Sequence, residues 1–160
     1  MREPNMRRRS AILFVALLAV PVFSQEGPPG NTDQAAIVAF AEKAAVRALA
    51  FRQGDAGSLN RARADFTSEG WRDFLKHMEG YLDRNGAPTF DSSFAPSGKA
   101  TVLGQEGRII RLRIPGILKQ THNQSSTTYR GAVEVYAGGK PVKLQRLEQI
   151  ACAGASTACQ

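Results

Sequence analysis

The sequence predicts an α+β domain: N-terminal helices packed on a bent antiparallel sheet of about four strands. Two observations carry this. Apolar residues between 33 and 82 recur at intervals of three and four, as on helices. Beyond Thr89 they alternate with polar residues, as on half-buried strands. Helices first and a strand meander second is the α+β order.

A different kind of segment precedes the domain. Arg7, Arg8 and Arg9 lead into an apolar run from Ala11 to Phe23, and Val22-Phe23-Ser24 offers a signal peptidase site before Gln25. This is the secretory pattern. The rival reading is an uncleaved anchor, but the run is shorter than the roughly 20 apolar residues a bilayer span needs. Pro21 would also end a helix early. Residues 25–32 follow as a linker containing two prolines and two glycines.

The first helix is expected from Asp33 to Phe51, with Ile37, Phe40, Ala41, Ala44, Ala48 and Phe51 as its stripe. The stripe is mostly alanine, so the helix can approach its partner layer closely. Ser58 is the expected cap of a short second helix, Leu59 to Phe66. Thr67 is the expected N-cap of a third, in which Trp71, Phe74, Leu75, Met78 and Leu82 share one face. Asn85-Gly86 and Pro88 stop it.

Thr101-Val102-Leu103 reads as a first strand, and Gln105-Glu106-Gly107 as a turn. Arg108–Thr121 is a long strand in which Ile110, Leu112 and Ile114 alternate with Arg111 and Arg113. Pro115-Gly116 should bend it or place it at an edge. His122–Thr128 reads as a loop or strand end. Val133, Val135 and Ala137 alternate in a further strand, Gly138-Gly139 signals a hairpin, and Val142 and Leu144 alternate in the last strand, with a bulge expected at Leu147. The tail, 153–160, is small and polar, leaving 33–152 as one α+β domain.

The formal net charge is +7, but residues 1–24 hold Arg2, Arg7, Arg8 and Arg9 against Glu3, which leaves about +4 for the rest. That mild excess suits an acidic partner surface or a lipid headgroup region and does not argue for nucleic acid. Cys152 and Cys159 form an even pair in an exported chain, which permits a disulfide. A redox or metal pair is the competing reading, and neither a Cys-x-x-Cys spacing nor a nearby histidine supports it. No cofactor is expected.

Catalytic patterns are missing: there is no Gly-rich phosphate loop, no Gly-x-Ser-x-Gly and no His-Glu-x-x-His. His77 reads as a boundary residue of the third helix and His122 as a loop residue. Asp65 and Asp73 read as solvated acids, although either is a conceivable general base for a pocket between the layers. Arg111 and Arg113 share a strand face, and with Lys119 and Arg130 they outline a basic sheet surface that fits an acidic partner. Reversing Arg111 and Arg113 to glutamate is then expected to leave the fold intact and to weaken the partner contact; the competing reading is a wetted sheet face.

Phe66-Thr67-Ser68-Glu69-Gly70-Trp71-Arg72-Asp73-Phe74 resembles the Phe-Thr-x-x-Gly-Trp-x-x-Phe block of the periplasmic domains of DotI/IcmL proteins, components of type IVB secretion and related conjugation systems. Phe66, Thr67, Gly70, Trp71 and Phe74 carry the match. The resemblance extends over about residues 33–152 and includes the proline-centred run Leu112–Leu118. It implies a nuclear-transport-factor-like, or cystatin-like, cone. It also implies a non-enzymatic role in the periplasm among other protein subunits, with self-association as one form. Members of that family keep a cytoplasmic stub and a full transmembrane helix, whereas this chain shows a short, cleavable-looking segment. Two further functions fit the composition: a periplasmic small-molecule binder or isomerase using the cone as a pocket, and a secreted accessory protein outside any machine.

The export signal generates a direct expectation. N-terminal sequencing of the mature protein should begin at Gln25; an intact Met1 or Met6 in the membrane fraction would show retention.

Overall fold

The computed structural model describes residues 31–151, with side chains from 33 to 150. The signal segment, most of the linker, both cysteines and the tail lie outside the described residues. Helix α1 spans Asn31–Ala48, α2 Ala56–Asn60 and α3 Ser68–Met78, with short 3-10 turns at Arg61–Asp65 and Glu79–Tyr81. Five strands follow: β1 Asp91–Pro96, β2 Thr101–Glu106, β3 Ile109–His122, β4 Ser125–Gly138 and β5 Lys143–Ala151. They form one antiparallel sheet in the order β1-β3-β4-β5, and β2 pairs with β3 as well.

α1 ends at Ala48, before its expected limit, and the chain passes through a turn at Leu49. Phe51 leaves the helix and pairs with Ser92, their amides and carbonyls bonding reciprocally at 3.1 and 2.9 Å. Asp55, not Ser58, caps α2: its carboxylate accepts from the Ser58 amide at 3.0 Å. Ser58 is buried, and its hydroxyl accepts from the Arg52 amide. Thr67 caps α3 as the sequence indicates, accepting from the Gly70 amide at 3.1 Å.

β1 has no counterpart in the sequence expectation. Ser92 and Phe94 alone face inward along Asp-Ser-Ser-Phe-Ala-Pro, and two serines with one aromatic do not announce a strand. Pro115 behaves differently from expectation too. β3 is an interior strand, yet β1 ends at Gly116 and β2 begins at Arg113, so Pro115 stands in the gap between two short neighbours. A residue without an N–H loses no ladder bond there, and its carbonyl accepts from the Ser97 amide at 3.0 Å. The stretch around Asn123 and Gln124 is a two-residue turn, both residues at positive φ, which joins β3 to β4 with His122 opposite Ser125. The bulge in β5 falls at Gln145, two residues before the expected Leu147, where Tyr136–Arg146 and Ala137–Leu144 pairing changes step.

One face of the sheet is the core face. Ile110, Leu112 and Ile114 of β3 and Val133 and Val135 of β4 meet the alanine stripe of α1, Ala41, Ala44, Ala45 and Ala48, all essentially buried. α3 covers β5. Phe66, Trp71 and Phe74 form a triangle of rings with centroids 5.3–5.5 Å apart, a geometry that adds to the burial of the rings themselves. The first turn of α3 sits directly on the β5 bulge. The Thr67 amide donates to the Leu144 carbonyl at 2.9 Å. A Cβ at Gly70 would lie 2.6 Å from the Gln145 carbonyl oxygen and 2.7 Å from that of Leu144.

This packing sets two stability expectations for chemical denaturation. Trp71→Ala should cost about 3–5 kcal/mol as a large buried ring is lost. Gly70→Ala should cost about 1–3 kcal/mol because its methyl meets backbone that cannot retreat. A loss below about 1 kcal/mol for Trp71→Ala would mean the ring does not belong to the core.

Candidate functional site

With period-two alternation, the core residues of β3 leave Arg111, Arg113 and Lys119 on the opposite face, which no described helix covers. The β4 residues paired with that set, Arg130, Glu134 and Tyr136, share it. Arg111, Arg113, Lys119 and Arg130 are therefore brought together on one surface, but they fall into two kinds.

Arg111 and Arg113 are tied to one acid. Glu134 lies opposite Arg113, and its side chain is only 3% exposed. One carboxylate oxygen accepts from Arg111 Nε and Nη2 at 3.0 and 2.6 Å, the other from Arg113 Nε and Nη2 at 3.1 and 2.6 Å. Burial alone would push the Glu134 carboxyl upward. The bonds from Arg113 and Arg111 outweigh it and hold the group below the usual glutamate range. Arg111 rises in turn, chiefly through its bonds to Glu134. Tyr136 extends the array, its ring 5.6 Å from the Arg111 guanidinium carbon and 5.9 Å from that of Arg146. Arg146 also pairs with Glu148. The pair expected to be solvent-facing cations is thus half internal. Reversing both charges would surround a buried carboxylate with two more, so the expectation that such a change leaves the fold intact does not survive.

Lys119 and Arg130 are of the other kind. Both are exposed, at diagonal positions on neighbouring strands, and no described carboxylate pairs with either. They are the exposed positive charges of the face that no described carboxylate engages.

The residues considered for chemistry do not converge. Asp65 is forked by Arg47, Nε at 2.7 Å and Nη2 at 2.8 Å, and the bond raises the arginine's pKa. His77 Nδ1 lies 2.7 Å from the Asp73 carbonyl on its own helix. His122 Nδ1 lies 2.8 Å from the Thr89 carbonyl, far along the sheet. Among the described residues no three His, Cys, Asp or Glu side chains gather as a metal set.

A cleft of about 330 Å³ does open on the core face, where the helices stop short of the distal β3–β4 hairpin. Phe94, Leu118, Tyr129, Val133, Tyr81 and Gln149 line it together with Arg130, without a carboxylate or histidine. A second groove of about 400 Å³ runs between α3 and β5, past Phe74, His77, Met78 and Leu147. Sequence reasoning missed Glu134, Tyr136 and Arg146, because their partners are defined by cross-strand register.

No family model and no curated protein matches the sequence. Solved structures do match. The periplasmic domain of DotI superposes with a TM-score of 0.61 at 17% identity, over 72% of this chain and 93% of that one. An IcmL-like type IV secretion system protein from Legionella pneumophila gives 0.63 at 11% identity, over 82% and 99%. CagV, a VirB8 homologue of the type IV secretion system of Helicobacter pylori, gives 0.54 at 12%, over 74% and 99%.

The chain has the DotI/IcmL-type fold.

The resemblance carried by Phe66–Phe74 is borne out at that level, as is the α+β layering of helices on an unclosed antiparallel sheet. In this domain the block has a physical role: it seats α3 on the β5 bulge. No helix among the described residues is long and apolar enough to cross a membrane.

The ion cluster predicts an acid response. A carboxyl with a depressed folded-state pKa contributes stability that is fully present above its unfolded value of 4.5 and is lost as pH falls through the lower folded value. Urea titrations should show wild type more stable than Glu134→Gln near neutrality, with the gap closing below about pH 4.5. A gap independent of pH would remove the charge from the explanation.

Proposed function

We propose that this chain is an exported, non-enzymatic protein-interaction domain, a periplasmic component or accessory of a type IV secretion or conjugation apparatus. The single observation that carries the reading is the superposition of the domain on nearly the whole length of DotI and IcmL-like periplasmic domains. Those proteins are described as a periplasmic domain and as a type IV secretion system protein, and the export signal of Arg7–Ser24 is consistent with the same compartment. The candidate surface supports it further. Lys119 and Arg130 stand unneutralised on a sheet face whose other cations are already engaged, so they are the pair that steers an acidic partner. The core cleft offers aromatic and amide groups without a general base.

Exposed charges contribute little to stability, and Lys119→Glu/Arg130→Glu spares the Glu134 cluster. The double variant should keep the wild-type unfolding midpoint and lose crosslinks to envelope subunits of the apparatus in the producing cell. The wild-type contact should weaken with salt. Unchanged crosslinks in the variant would take this face out of the interaction. A bound metabolite in native mass spectra, displaced by Tyr129→Ala, would favour a ligand-binding role instead.

A further inference from the structure

β4 is longer than the strand beside it. Among the described residues β5 ends at Ala151, opposite Gly131, while β4 continues from Arg130 back to Ser125 with β3 on its other side. The stretch 125–130 is exposed throughout. The direction of its backbone groups follows from the ladder. Pro115 turns its carbonyl away from β4, to Ser97, so its pair Pro115–Ala132 is one whose amides and carbonyls face outward on both strands. By period two, Arg130, Thr128 and Ser126 also present their N–H and C=O groups to the side where no described strand lies.

Sheets normally blunt such edges, and the others here are blunted. Ser92 of β1 is bridged by Phe51, β2 is broken by a register shift between Val102 and Gly104, and Leu144 of β5 is bridged by Phe66 and Thr67. The Ser125–Arg130 stretch has no proline, no lysine and no bulge. Its two sides also differ. Tyr129, on the core side, borders the 330 Å³ cleft with Phe94 and Leu118. On the other side stand Arg130 and Lys119.

We propose that this edge accepts an added β-strand from a protein partner, an extended segment that alternates apolar and acidic residues. Main-chain bonds to Ser126, Thr128 and Arg130 supply the attachment. Alternate side chains select the sequence, apolar ones entering the cleft and acidic ones meeting Arg130 and Lys119. The inference rests on the protein-interaction reading above and makes it specific to one edge and one partner conformation.

Amide hydrogen exchange on the full chain, read by NMR, tests it. In the free protein the amides of Ser126, Thr128 and Arg130 should exchange quickly, while those of Thr127 and Tyr129, bonded to β3, are protected. A capped peptide of alternating valine and glutamate should slow the three quick amides. Replacing its glutamates by lysine should weaken binding on the order of tenfold. Thr128→Pro, which removes one outward N–H, should abolish protection, and so should N-methylation of the peptide, which leaves the protein untouched. Three outcomes overturn the proposal: amides already slow in the free chain, which would mean that its own residues beyond Ala151 occupy the edge; no slowing by the valine–glutamate peptide; or equal binding by the methylated peptide. Crosslinks to apparatus subunits that survive Thr128→Pro would overturn the edge while leaving the broader role standing.

Discussion

The seat of α3 on the β5 bulge is the constraint on which the rest of the domain depends. A helix N-terminus carries unpaired amides, and here Thr67 satisfies one with its side chain and commits its own amide to the Leu144 carbonyl. The approach is close enough that only glycine fits at position 70. That contact fixes the rotation of α3, and the rotation decides that Trp71 and Phe74 face Phe66 and the sheet. The bulge at Gln145 gives the strand the local bend that offers two successive carbonyls to one helix turn. Helix and strand are thus each irregular where the other needs it.

On the far side of the sheet a different balance holds. A buried carboxylate with one cation would be an expensive element. Glu134 has two, each binding it through two nitrogens, and the guanidiniums remain partly in water, so desolvation is shared unevenly in favour of the pair. The cluster ties β3 to β4 across their central register and stacks one arginine on Tyr136. It therefore consumes the charges most visible in the sequence and leaves Lys119 and Arg130 to give the surface its positive character. The basic face and the stabilising cluster are two parts of one row of side chains.

The helices cover only half of the long β3–β4 hairpin. Its proximal half is core, with Ile110, Leu112, Val133 and Val135 sealed beneath α1. Its distal half is a two-stranded extension flanked by β1 and carrying serine, threonine and tyrosine. The cleft, Lys119 and Arg130, and the stretch of β4 edge that no described strand pairs all fall on this half. A domain that meets other proteins gains from such a division, because the binding half can be altered without opening the core.

By itself the sequence determined the layered α+β class, the Thr67 cap and the apolar faces of α1, α3, β3 and β4, because periodicity and capping are local properties. The Phe66–Phe74 block pointed to the right fold before any contact was known. What only the tertiary structure decided are relations between distant segments: β1, whose two inward residues give no alternation to read, and the place of Pro115 in a gap between neighbours. The Glu134 cluster belongs here as well, and its origin is instructive. Taking His122–Thr128 for a loop leaves the register of β3 against β4 undefined. A two-residue turn at Asn123-Gln124 pairs His122 with Ser125, and counting back from that pair sets Arg113 opposite Glu134. Arg111 and Arg113 read as free cations only because their partner lies 21 or more residues away along the chain. Side-chain charge is written in the sequence, but neutralisation depends on register, and a single turn of two residues sets it.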